Sequence, residues 1–331
     1  MKRLDAYWDS RNPVALALFP VSLIYCALMR LRRLIYGLLP IRRAPAKAVI
    51  VVGNLTVGGS GKTPMVIWLC RYLASHGFRP GVVSRGHGGQ RDHRVPERVT
   101  AESDPARVGD EPVLIAARSG CPVIVDRKRA RGARLLVKAL GCDVVVADDG
   151  LQHYALARDM EIIMVDGARR FGNGLCLPAG PLRESVDRLR DADFVVATGK
   201  GRPGEHVMAL TPTVVMKVMD PAQVQPLHAL TGKAVHALAG IGHPERFFTM
   251  LEAAGLRLDR HPFADHHPFT AQDIRFTDSL PVLMTEKDAV KCGAIADDRH
   301  WFVPVSASPD PTLGPAILST VQAVSQLQRL R

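Results

Sequence analysis

The segment TVGGSGKT, from Thr56 to Thr63, has the composition of a loop that binds phosphate groups. It follows an apolar run typical of a buried strand and precedes a segment that predicts a helix. Glycines let backbone N–H groups turn toward phosphate oxygens, a lysine adds positive charge, and a threonine hydroxyl can bind magnesium. We therefore expect a nucleotide site formed by Thr56, Val57, Gly58, Gly59, Ser60, Gly61, Lys62 and Thr63.

The alternative for this segment is a plain strand-to-helix turn, since phosphate-binding loops generally have glycine where Thr56 stands. The strand, the glycines, the Gly-Lys-Thr run and the helix coincide, however, which favours phosphate binding. Asp148 and Asp149 follow another apolar run, DVVVA, at the carboxyl end of a predicted strand. An Asp-Asp-Gly turn is the alternative there. With the loop upstream, a magnesium site is favoured.

Two further groups of polar residues are suited to proton transfer. Asp110 and Glu111 begin a predicted helix, where they either complement the helix dipole or serve as a general base or metal ligand. The segment FADHHPF brings together Asp265, His266 and His267. Two adjacent histidines point in different directions, so both seldom bind one metal ion. One of these histidines, paired with a carboxylate from the first domain, would form a proton-transfer unit.

The segment LMTEKDAVK differs from the Asn/Thr-Lys-x-Asp motif with which GTPases read guanine, because its lysine stands one place late. That spacing argues against a guanine-specific switch. The basic run 126–134 is more typical of a solvated helix face than of a site, although it could help to hold an anionic substrate.

The elements that position these residues alternate between strand and helix after residue 45. Short runs rich in valine and isoleucine, without polar alternation, predict strands covered on both faces, with helices between several of them. We predict strands at 48–52, 81–84, 122–125, 143–147, 161–165 and 194–197, and helices at 63–76, 111–118 and 127–140. The polar stretch 87–102 is interpreted as an excursion. The fold class is α/β, a mostly parallel sheet containing the phosphate loop, with helices on both faces.

A second α/β pattern begins at about residue 226, after two segments richer in glycine and proline. It predicts strands at 235–239 and near 281–285 and 301–305, a helix at 244–254 and a closing helix at 312–330. We accordingly divide the chain into an N-terminal segment 1–40, a phosphate-loop domain 41–225 and a smaller C-terminal α/β domain 226–331.

The N-terminal segment has no charge from Pro13 to Met29 and is followed by Arg30, Arg32 and Arg33. A helix of this kind can lie in a membrane interface, with its apolar face among the acyl chains and its arginines on anionic head groups. A buried core helix is the alternative. A cleaved signal peptide is disfavoured, because Asp5 and Asp9 interrupt the basic region that such peptides need.

The net charge narrows the class of partner, and the cysteine content indicates the compartment. Of the 331 residues, 43 are Lys or Arg and 32 are Asp or Glu, which gives a formal net charge of +11 and indicates an anionic partner. Nucleic acid is disfavoured, since aromatic residues make up only 5% of the chain and none is interleaved with the arginines of 126–134. The six cysteines have no paired metal spacing and indicate free thiols in a reducing compartment.

Taken together and in order, the segments GNLTVGGSGKTP, SRGHGG, VGDEP, DDGLQH, FADHHPF and LMTEKD resemble the tetraacyldisaccharide 4'-kinases of lipid A biosynthesis. The resemblance covers most of the chain, including the apolar and basic N-terminus. That family also has a residue other than glycine at the position of Thr56. His87, in SRGHGG, stands where many relatives have tyrosine.

The resemblance implies an ATP-dependent kinase on the cytoplasmic face of the inner membrane of a Gram-negative bacterium, held there peripherally or monotopically. Its substrate is a tetraacylated glucosamine disaccharide 1-phosphate, whose 4'-hydroxyl it phosphorylates to give lipid IVA. Asp110 matches the catalytic aspartate, and His266 its partner, with His267 as the alternative. The resemblance assigns Mg²⁺ or its surroundings to Thr63, Glu111, Asp148 and Asp149.

Two other functions stay open at this point. One is a membrane-associated phosphate-loop NTPase that drives a protein partner and phosphorylates nothing. The other is a basic structural or nucleic-acid-binding protein with a vestigial loop. The oligomeric state is left open by the sequence.

Overall fold

A computed structural model describes residues 4–90 and 95–329 of the chain. Within that part, the strands form one nine-stranded and one six-stranded sheet. The strands are β1 Ala48–Asn54, β2 Pro80–Ser84, β3 Glu97–Val99, β4 Val123–Val125, β5 Val144–Asp148, β6 Met160–Asp166, β7 Phe194–Thr198, β8 His206–Thr211, β9 Val214–Lys217, β10 Val224–Pro226, β11 Ala234–Ala239, β12 Arg257–Pro262, β13 Val282–Thr285, β14 His300–Val303 and β15 Ser306–Pro309.

The α-helices of the described residues are α1 Pro13–Leu38, α2 Lys62–Ser75, α3 Pro105–Val108, α4 Asp110–Ser119, α5 Arg129–Leu140, α6 Pro244–Ala253, α7 Ala271–Ile274, α8 Glu286–Cys292 and α9 Leu313–Arg329. We call the nine-stranded sheet with the helices packed on it the large lobe (48–211 and 306–329), and the six-stranded sheet with its helices the small lobe (214–303).

The large lobe is a mostly parallel sheet in the order β15-β8-β7-β6-β1-β5-β2-β4-β3. Only the outermost pairs, β15 with β8 and β3 with β4, are antiparallel. Successive residues of β1 point into opposite cores: Ile50 and Val52 contribute to the core beneath α2, α4 and α9, whereas Val49 and Val51 contribute to the core that α5 covers. A strand buried on both faces needs apolar residues at every position, which explains its continuous run. The predicted α/β class with helices on both faces is confirmed.

The small lobe has the strand order β10-β9-β14-β13-β11-β12. Its four strands β14, β13, β11 and β12 are parallel, and β9 and β10 are antiparallel additions. Phe248 of α6 is fully buried against β11 and β13. Strand β12 forms one edge of this sheet, and most of its side chains are exposed or half-buried.

The strands and helices predicted from the sequence are all present, with ends shifted by a few residues. The strands that the sequence pattern missed are β3, β8, β9, β10, β12 and β15, which lie at or beside sheet edges and carry polar residues. Residues 91–94, inside the predicted excursion, lie outside the described part of the chain.

The end of the chain returns to the large lobe. Strand β15 pairs with β8, and α9 places Leu313, Ile317 and Val321 in the core beside α2. The segment 226–331 therefore contributes to both sheets, because the apolar face of α9 covers large-lobe strands. The functional division into 1–40, 41–225 and 226–331 stays a prediction.

Helix α1 is held along the large lobe by one face only. Ser22 Oγ donates a hydrogen bond to the carbonyl oxygen of Cys176 at 2.7 Å, and Arg33 pairs with Asp191 at 2.8 Å. Its other faces expose Leu16, Leu23, Ile24, Leu28, Leu31 and Leu34, each more than half accessible. By length and composition the helix could cross a membrane. Its length and composition and its exposed apolar surface are the two features that bear on the predicted membrane contact.

The two lobes meet at the carboxyl ends of their parallel strands. Helix α4 of the large lobe packs against α8 of the small lobe, and Arg118 pairs with Glu286 across this contact. The carboxyl ends of β1, β2 and β5 therefore face a cleft that those of β11, β12 and β13 complete. In open parallel sheets, ligands bind at this end.

Candidate active site

The phosphate-binding loop leaves β1 at Asn54 and ends where α2 begins. Gly61 precedes α2 with φ +82°, in the left-handed region, and a Cβ there would lie 2.7 Å from Thr198 Cγ2. Lys62 Nζ donates to Asn54 Oδ1 at 3.1 Å and lies 3.7 Å from Asp149 Oδ1. Ser60 Oγ is buried without a hydrogen-bond partner among the described residues, so it is available to a ligand. The loop thus combines a cation, a helix N-terminus and an unpaired donor, which fits phosphate.

Asp149 is an ion-paired carboxylate beside this loop. Arg183 Nη1 lies 3.0 Å from both of its carboxylate oxygens, and Lys62 is on its other side. Burial acts to raise the pKa of Asp149, but the charges of Lys62 and Arg183 outweigh it and hold the pKa far below its usual range. Asp149 is therefore ionised and serves to orient two cations toward the loop.

Asp148 has the opposite environment. Its carboxylate is almost wholly buried, Oδ2 accepts a hydrogen bond from Ser84 Oγ at 2.9 Å, and Oδ1 has no partner among the described residues. Burial, with the nearby charges of Glu111 and Asp149, raises the pKa of Asp148 to about 7. A buried carboxylate oxygen without a donor, among further carboxylates, fits a divalent cation, which prefers oxygen ligands.

Asp110 and His266 meet across the cleft. His266 Nδ1 donates to Asp110 Oδ2 at 3.0 Å, and Asp110 Oδ1 accepts the backbone N–H of Glu111 at 2.9 Å. Asp110 is buried at the start of α4, whereas His266 is half-buried in the loop after β12. Burial raises the pKa of Asp110, but the hydrogen bond from His266 and the charge of Lys287 lower it overall. The same hydrogen bond raises the pKa of His266.

The structure distinguishes the two adjacent histidines. The backbone at His266 has φ +60°, which turns its ring toward Asp110. His267 instead hydrogen-bonds Asp273 at 3.3 Å and packs against the rings of Phe263 and Phe269. His266 is thus the histidine that pairs with Asp110, whereas His267 contacts residues of the small lobe.

Lys287 is a site residue to which the sequence reasoning gave no role. From the start of α8 its ammonium lies 3.3 Å from Glu111 Oε1, 3.5 Å from Asp265 Oδ1 and 4.0 Å from Asp110 Oδ2. Burial acts to lower its pKa, but these carboxylates raise the pKa above the usual range. One feature of the sequence pointed to Lys287: it stands in LMTEKD, directly after a predicted strand. From the sequence, this lysine was compared only with the motif that reads guanine.

The SRGHGG loop packs against the Asp110–His266 pair. The ring of His87 meets that of His266 edge-on, with centroids 5.4 Å apart. A Cβ at Gly88 would lie 3.3 Å from His266 Nδ1, so glycine there leaves room for the imidazole. This loop therefore supports the pair from the large lobe.

Other charged residues at the site also escaped sequence reasoning. Arg129 lies in the basic run that was expected to be a solvated helix face, and for this residue the expectation is wrong. Its guanidinium is buried and donates to the carbonyl oxygen of Asp149 at 3.0 Å. Asn54 and Arg183, which hold Lys62 and Asp149, were not singled out as site residues from the sequence.

The site has two connected halves. One contains the phosphate loop, Asp148 and Asp149, and the other contains Asp110, His266 and Lys287. Glu111 lies between them, because it pairs with Lys287 and its charge also acts on Asp148. Such an arrangement can stabilise a transferring phosphoryl group and take a proton from an attacking hydroxyl.

Comparison with protein families agrees with this chemistry. A family model described as tetraacyldisaccharide-1-P 4'-kinase (LpxK) matches residues 14–322. A tetraacyldisaccharide 4'-kinase of Alkalilimnicola ehrlichii is 52% identical over 322 residues, which cover 94% of each chain. The tetraacyldisaccharide 4'-kinase of Nitrosococcus oceani is 46% identical, over 97% of this chain and 94% of its own.

A solved structure has a similar fold. It is described as a crystal structure of an "apo" form of LpxK from Aquifex aeolicus in complex with ATP. It superimposes with a TM-score of 0.77 and 26% sequence identity, and the match covers 93% of this chain and 99% of the other. The similarity extends over both lobes.

Proposed function

The chain belongs to the tetraacyldisaccharide 4'-kinase family, and from that premise we propose how its own residues carry out the reaction. The enzyme transfers the γ-phosphoryl group of ATP to the 4'-hydroxyl of a tetraacyldisaccharide 1-phosphate, which gives lipid IVA in lipid A biosynthesis. The observation that supports our assignment of roles is the 3.0 Å contact between Asp110 and His266 across the cleft.

The loop Thr56–Thr63 would bind the phosphates of ATP. Lys62, held by Asn54 and Asp149, supplies a fixed positive charge for the negative charge of the transferring group. Because Asp149 is shared between Lys62 and Arg183, both cations are positioned before the nucleotide arrives. Preorganised charges stabilise a transition state without further rearrangement.

Mg²⁺ would be held at the same edge of the sheet, with Asp148 as the best-supported ligand and Thr63, Glu111 and Asp149 as the other candidates. The unpaired Oδ1 of Asp148 and the crowded carboxylates fit this ion. When bound, Mg²⁺ neutralises charge on the phosphates. Asp149 supports the site by orienting Lys62 and Arg183, since its carboxylate is already engaged by both.

Asp110 and His266 would act together on the sugar hydroxyl. The proton of the 4'-hydroxyl passes to this carboxylate–imidazole pair as the oxygen attacks phosphorus. Asp110 provides the negative charge that makes the pair a base, and His266 fixes the carboxylate by hydrogen bonding. The hydrogen bond from His266, together with the charge of Lys287, keeps Asp110 ionised despite its burial, because both lower the carboxyl pKa.

Helix α1 would hold the enzyme at the membrane surface, where the acyl chains of the substrate are already dissolved. Its attachment along the large lobe, through Ser22, Arg30 and Arg33, supports an orientation parallel to the membrane. A perpendicular, spanning orientation would carry the polar surface of the lobe into lipid. We infer a peripheral or monotopic enzyme on the cytoplasmic face of the inner membrane, where ATP is available.

Transfer of labelled γ-phosphate from ATP to a tetraacyldisaccharide 1-phosphate tests the activity. We expect one labelled phosphate per disaccharide, and no labelling of a disaccharide that already carries a 4'-phosphate. ATP turnover that proceeds equally well without lipid, and labels none, would instead support an NTPase that drives a protein partner.

Flotation with vesicles that contain anionic lipid tests the membrane role in the full chain. Ile24→Asp with Leu34→Asp places charges on the exposed face of α1, where both side chains are 62% accessible. We expect this variant to leave the vesicles. Leu327→Asp, at a 63% accessible position in α9, is the matched control and should still float. Equal flotation of all three proteins would contradict the α1 assignment.

A further inference from the structure

The small lobe contains a cluster of histidine and aspartate side chains on its edge strand. His236 lies on β11, and Asp259 and His261 lie on the neighbouring β12. The two strands are parallel, with His236 opposite Asp259. Asp259 and His261 are two residues apart, so both point to the same face of the sheet. No step of the proposed kinase reaction uses this cluster.

Three atoms of the cluster form a nearly equilateral triangle. His236 Nδ1 lies 3.1 Å from His261 Nε2 and 3.1 Å from Asp259 Oδ2, and the third side, from His261 Nε2 to Asp259 Oδ2, is 3.3 Å. A tetrahedral zinc ion, with bonds of about 2.0 to 2.1 Å, separates its ligand atoms by about 3.3 Å. The three atoms are thus already spaced as zinc ligands, without rearrangement of either strand.

The other nitrogen of His236 is held by a carboxylate. His236 Nε2 donates to Asp278 Oδ1 at 3.0 Å, which leaves the lone pair of Nδ1 directed at the triangle. Metal-binding histidines commonly donate their second ring N–H to a carboxylate in this way, which fixes the tautomer and the ring orientation. The ring of Phe276 stacks on His236 with centroids 3.6 Å apart, so the ring is fixed on its face as well.

We propose that His236, Asp259 and His261 form a structural or regulatory binding site for a divalent transition-metal ion of the zinc class, oriented by Asp278. The donor set of two imidazoles and one carboxylate suits zinc and disfavours magnesium, which prefers oxygen ligands. Asp259 is largely exposed, so a solvent molecule can complete a tetrahedral coordination.

Because of the position of the cluster, such an ion would stabilise the edge of the small-lobe sheet. Among the described residues, strand β12 is the edge strand of the small-lobe sheet and has one neighbour, β11. An ion bound to His236 of β11 and to Asp259 and His261 of β12 would cross-link the two strands. Since β12 continues directly into the loop that carries His266, the cross-link would also stabilise the small-lobe side of the catalytic cleft.

Zinc binding to the full-length enzyme, in detergent and without a polyhistidine tag, tests this inference. The protein is stripped with a chelator, incubated with one equivalent of ZnSO₄ in the absence of ATP, and separated by gel filtration before metal analysis. We expect one zinc per chain in the wild type and a rise in Tm on zinc addition. Cobalt(II) should give the intense visible absorption of a tetrahedral site.

Three variants locate the site. His261→Asn and Asp259→Asn should each weaken zinc binding by about 100-fold or more, and Asp278→Asn by about 10- to 100-fold, the usual cost of losing an outer partner. His228→Asn, at an exposed histidine of the same lobe, should bind zinc as the wild type does. Asp259 is 61% accessible, so its variant is the one least prone to misfolding, and retained kinase activity confirms its fold.

A wild-type chain without stoichiometric zinc, or an Asp259→Asn chain that binds zinc as tightly as the wild type, would overturn the proposal. In the first case the cluster is a hydrogen-bonding network that joins the two strands. In the second case the zinc resides elsewhere, for example on the carboxylates near Asp148. Neither result bears on the kinase assignment, because, in the described part of the chain, the side chains of Asp259, His261 and Asp278 contact His236 and not Asp110, His266 or Lys287.

Discussion

The phosphate loop and the Asp110–His266 pair differ in how the fold assembles them. Lys62 and its partner Asn54 are eight residues apart in one strand-loop-helix unit of the large lobe. Asp110 and His266 are 156 residues apart and come from different lobes. The half of the site that contains the phosphate loop, Asp148 and Asp149, here called the nucleotide half, therefore depends mainly on local structure. The half that contains Asp110, His266 and Lys287, here called the acceptor half, exists only when the two lobes are packed together. Substitutions in the two halves should separate these dependencies.

The largest expected effect belongs to the acceptor half. Asp110→Asn removes the negative charge of the pair, so turnover should fall by about 10²- to 10⁴-fold, the usual contribution of general base catalysis. ATP binding should be nearly unchanged, since the side-chain contacts of Asp110 within the described part of the chain are with Glu111, His266 and Lys287 and not with the phosphate loop. Steady-state kinetics and ATP titration measure the two quantities separately.

Asp104→Asn is the control for this variant. It makes the same substitution at an exposed position that caps α3, six residues upstream, and asparagine preserves the cap. We expect wild-type turnover from it. Near-normal turnover by Asp110→Asn would mean that the acceptor half is assigned to the wrong residues.

A somewhat smaller effect is expected in the nucleotide half. Lys62→Met removes the charge next to the phosphates, and turnover should fall by about 10²- to 10³-fold. Unlike Asp110→Asn, this variant should also bind ATP more weakly, because Lys62 faces the ground-state phosphates as well. Lys138→Met, at an exposed lysine of α5, is the matched control. Unchanged ATP binding by Lys62→Met would remove the contrast between the two halves.

The dependence on magnesium should vary with pH. Because the pKa of Asp148 is raised to about 7, its carboxyl is protonated below that pH and a cation must displace the proton. The apparent Mg²⁺ affinity should thus rise with pH through 7 and weaken by about tenfold per unit below it. Magnesium titrations of activity at several pH values measure this, and Asp148→Asn should lose the dependence. A wild-type affinity independent of pH would exclude Asp148 as a ligand.

The smallest expected effect is on the free energy of unfolding, and it concerns the contact between Asp110 and His266 across the two lobes. The raised pKa of His266 means that its charged form stabilises the fold fully below its unfolded pKa, and this stability is lost as pH rises through the folded pKa. The lowered pKa of Asp110 has the opposite sign: its contribution is present above its unfolded pKa and is lost as pH falls through the folded value. Both side chains are charged at pH values between the folded-state pKa of Asp110 and the folded-state pKa of His266.

His266→Gln should therefore destabilise the enzyme by about 1 kcal/mol near pH 6, a typical cost for one substitution, and by less at pH 9. Thermal unfolding in detergent at both pH values measures the difference in Tm from the wild type. His228→Gln, an exposed histidine of the same lobe, should show no such change with pH. An equal loss for His266→Gln at both values would contradict the ion pair.

The sequence signals of the nucleotide half are local. Gly61, Lys62 and Thr63 stand together between a buried strand and a helix, and Asp148 ends the neighbouring strand. Apolar runs such as β1 specify strands covered on both faces, so the fold class also followed from the pattern. Edge strands such as β12 and β15 were missed, because exposed polar strands lack that pattern.

The acceptor half could be predicted only in part. The chemistry of Asp110 and of the Asp-His-His segment indicated proton transfer, but the choice between His266 and His267 depends on backbone conformation and on the contacts of Phe263 and Asp273. The roles of Lys287 and Arg183 could not be predicted, since an ion pair across more than a hundred residues or between two loops leaves no periodicity. The sequence pattern also did not predict that α9 packs on the large lobe, because a contact between segments far apart in the chain leaves no local signal.

The central claim is that Asp110 and His266 work as one unit that spans the two lobes. A double-mutant cycle measured by labelled phosphate transfer tests it most directly, with wild type, Asp110→Asn, His266→Asn and the double variant under saturating ATP. Residues that act as a unit are strongly non-additive. We predict that the double variant is about as slow as the slower single variant. Losses that multiply, so that the double variant equals the product of both single effects, would show two independent contributions and contradict the claim.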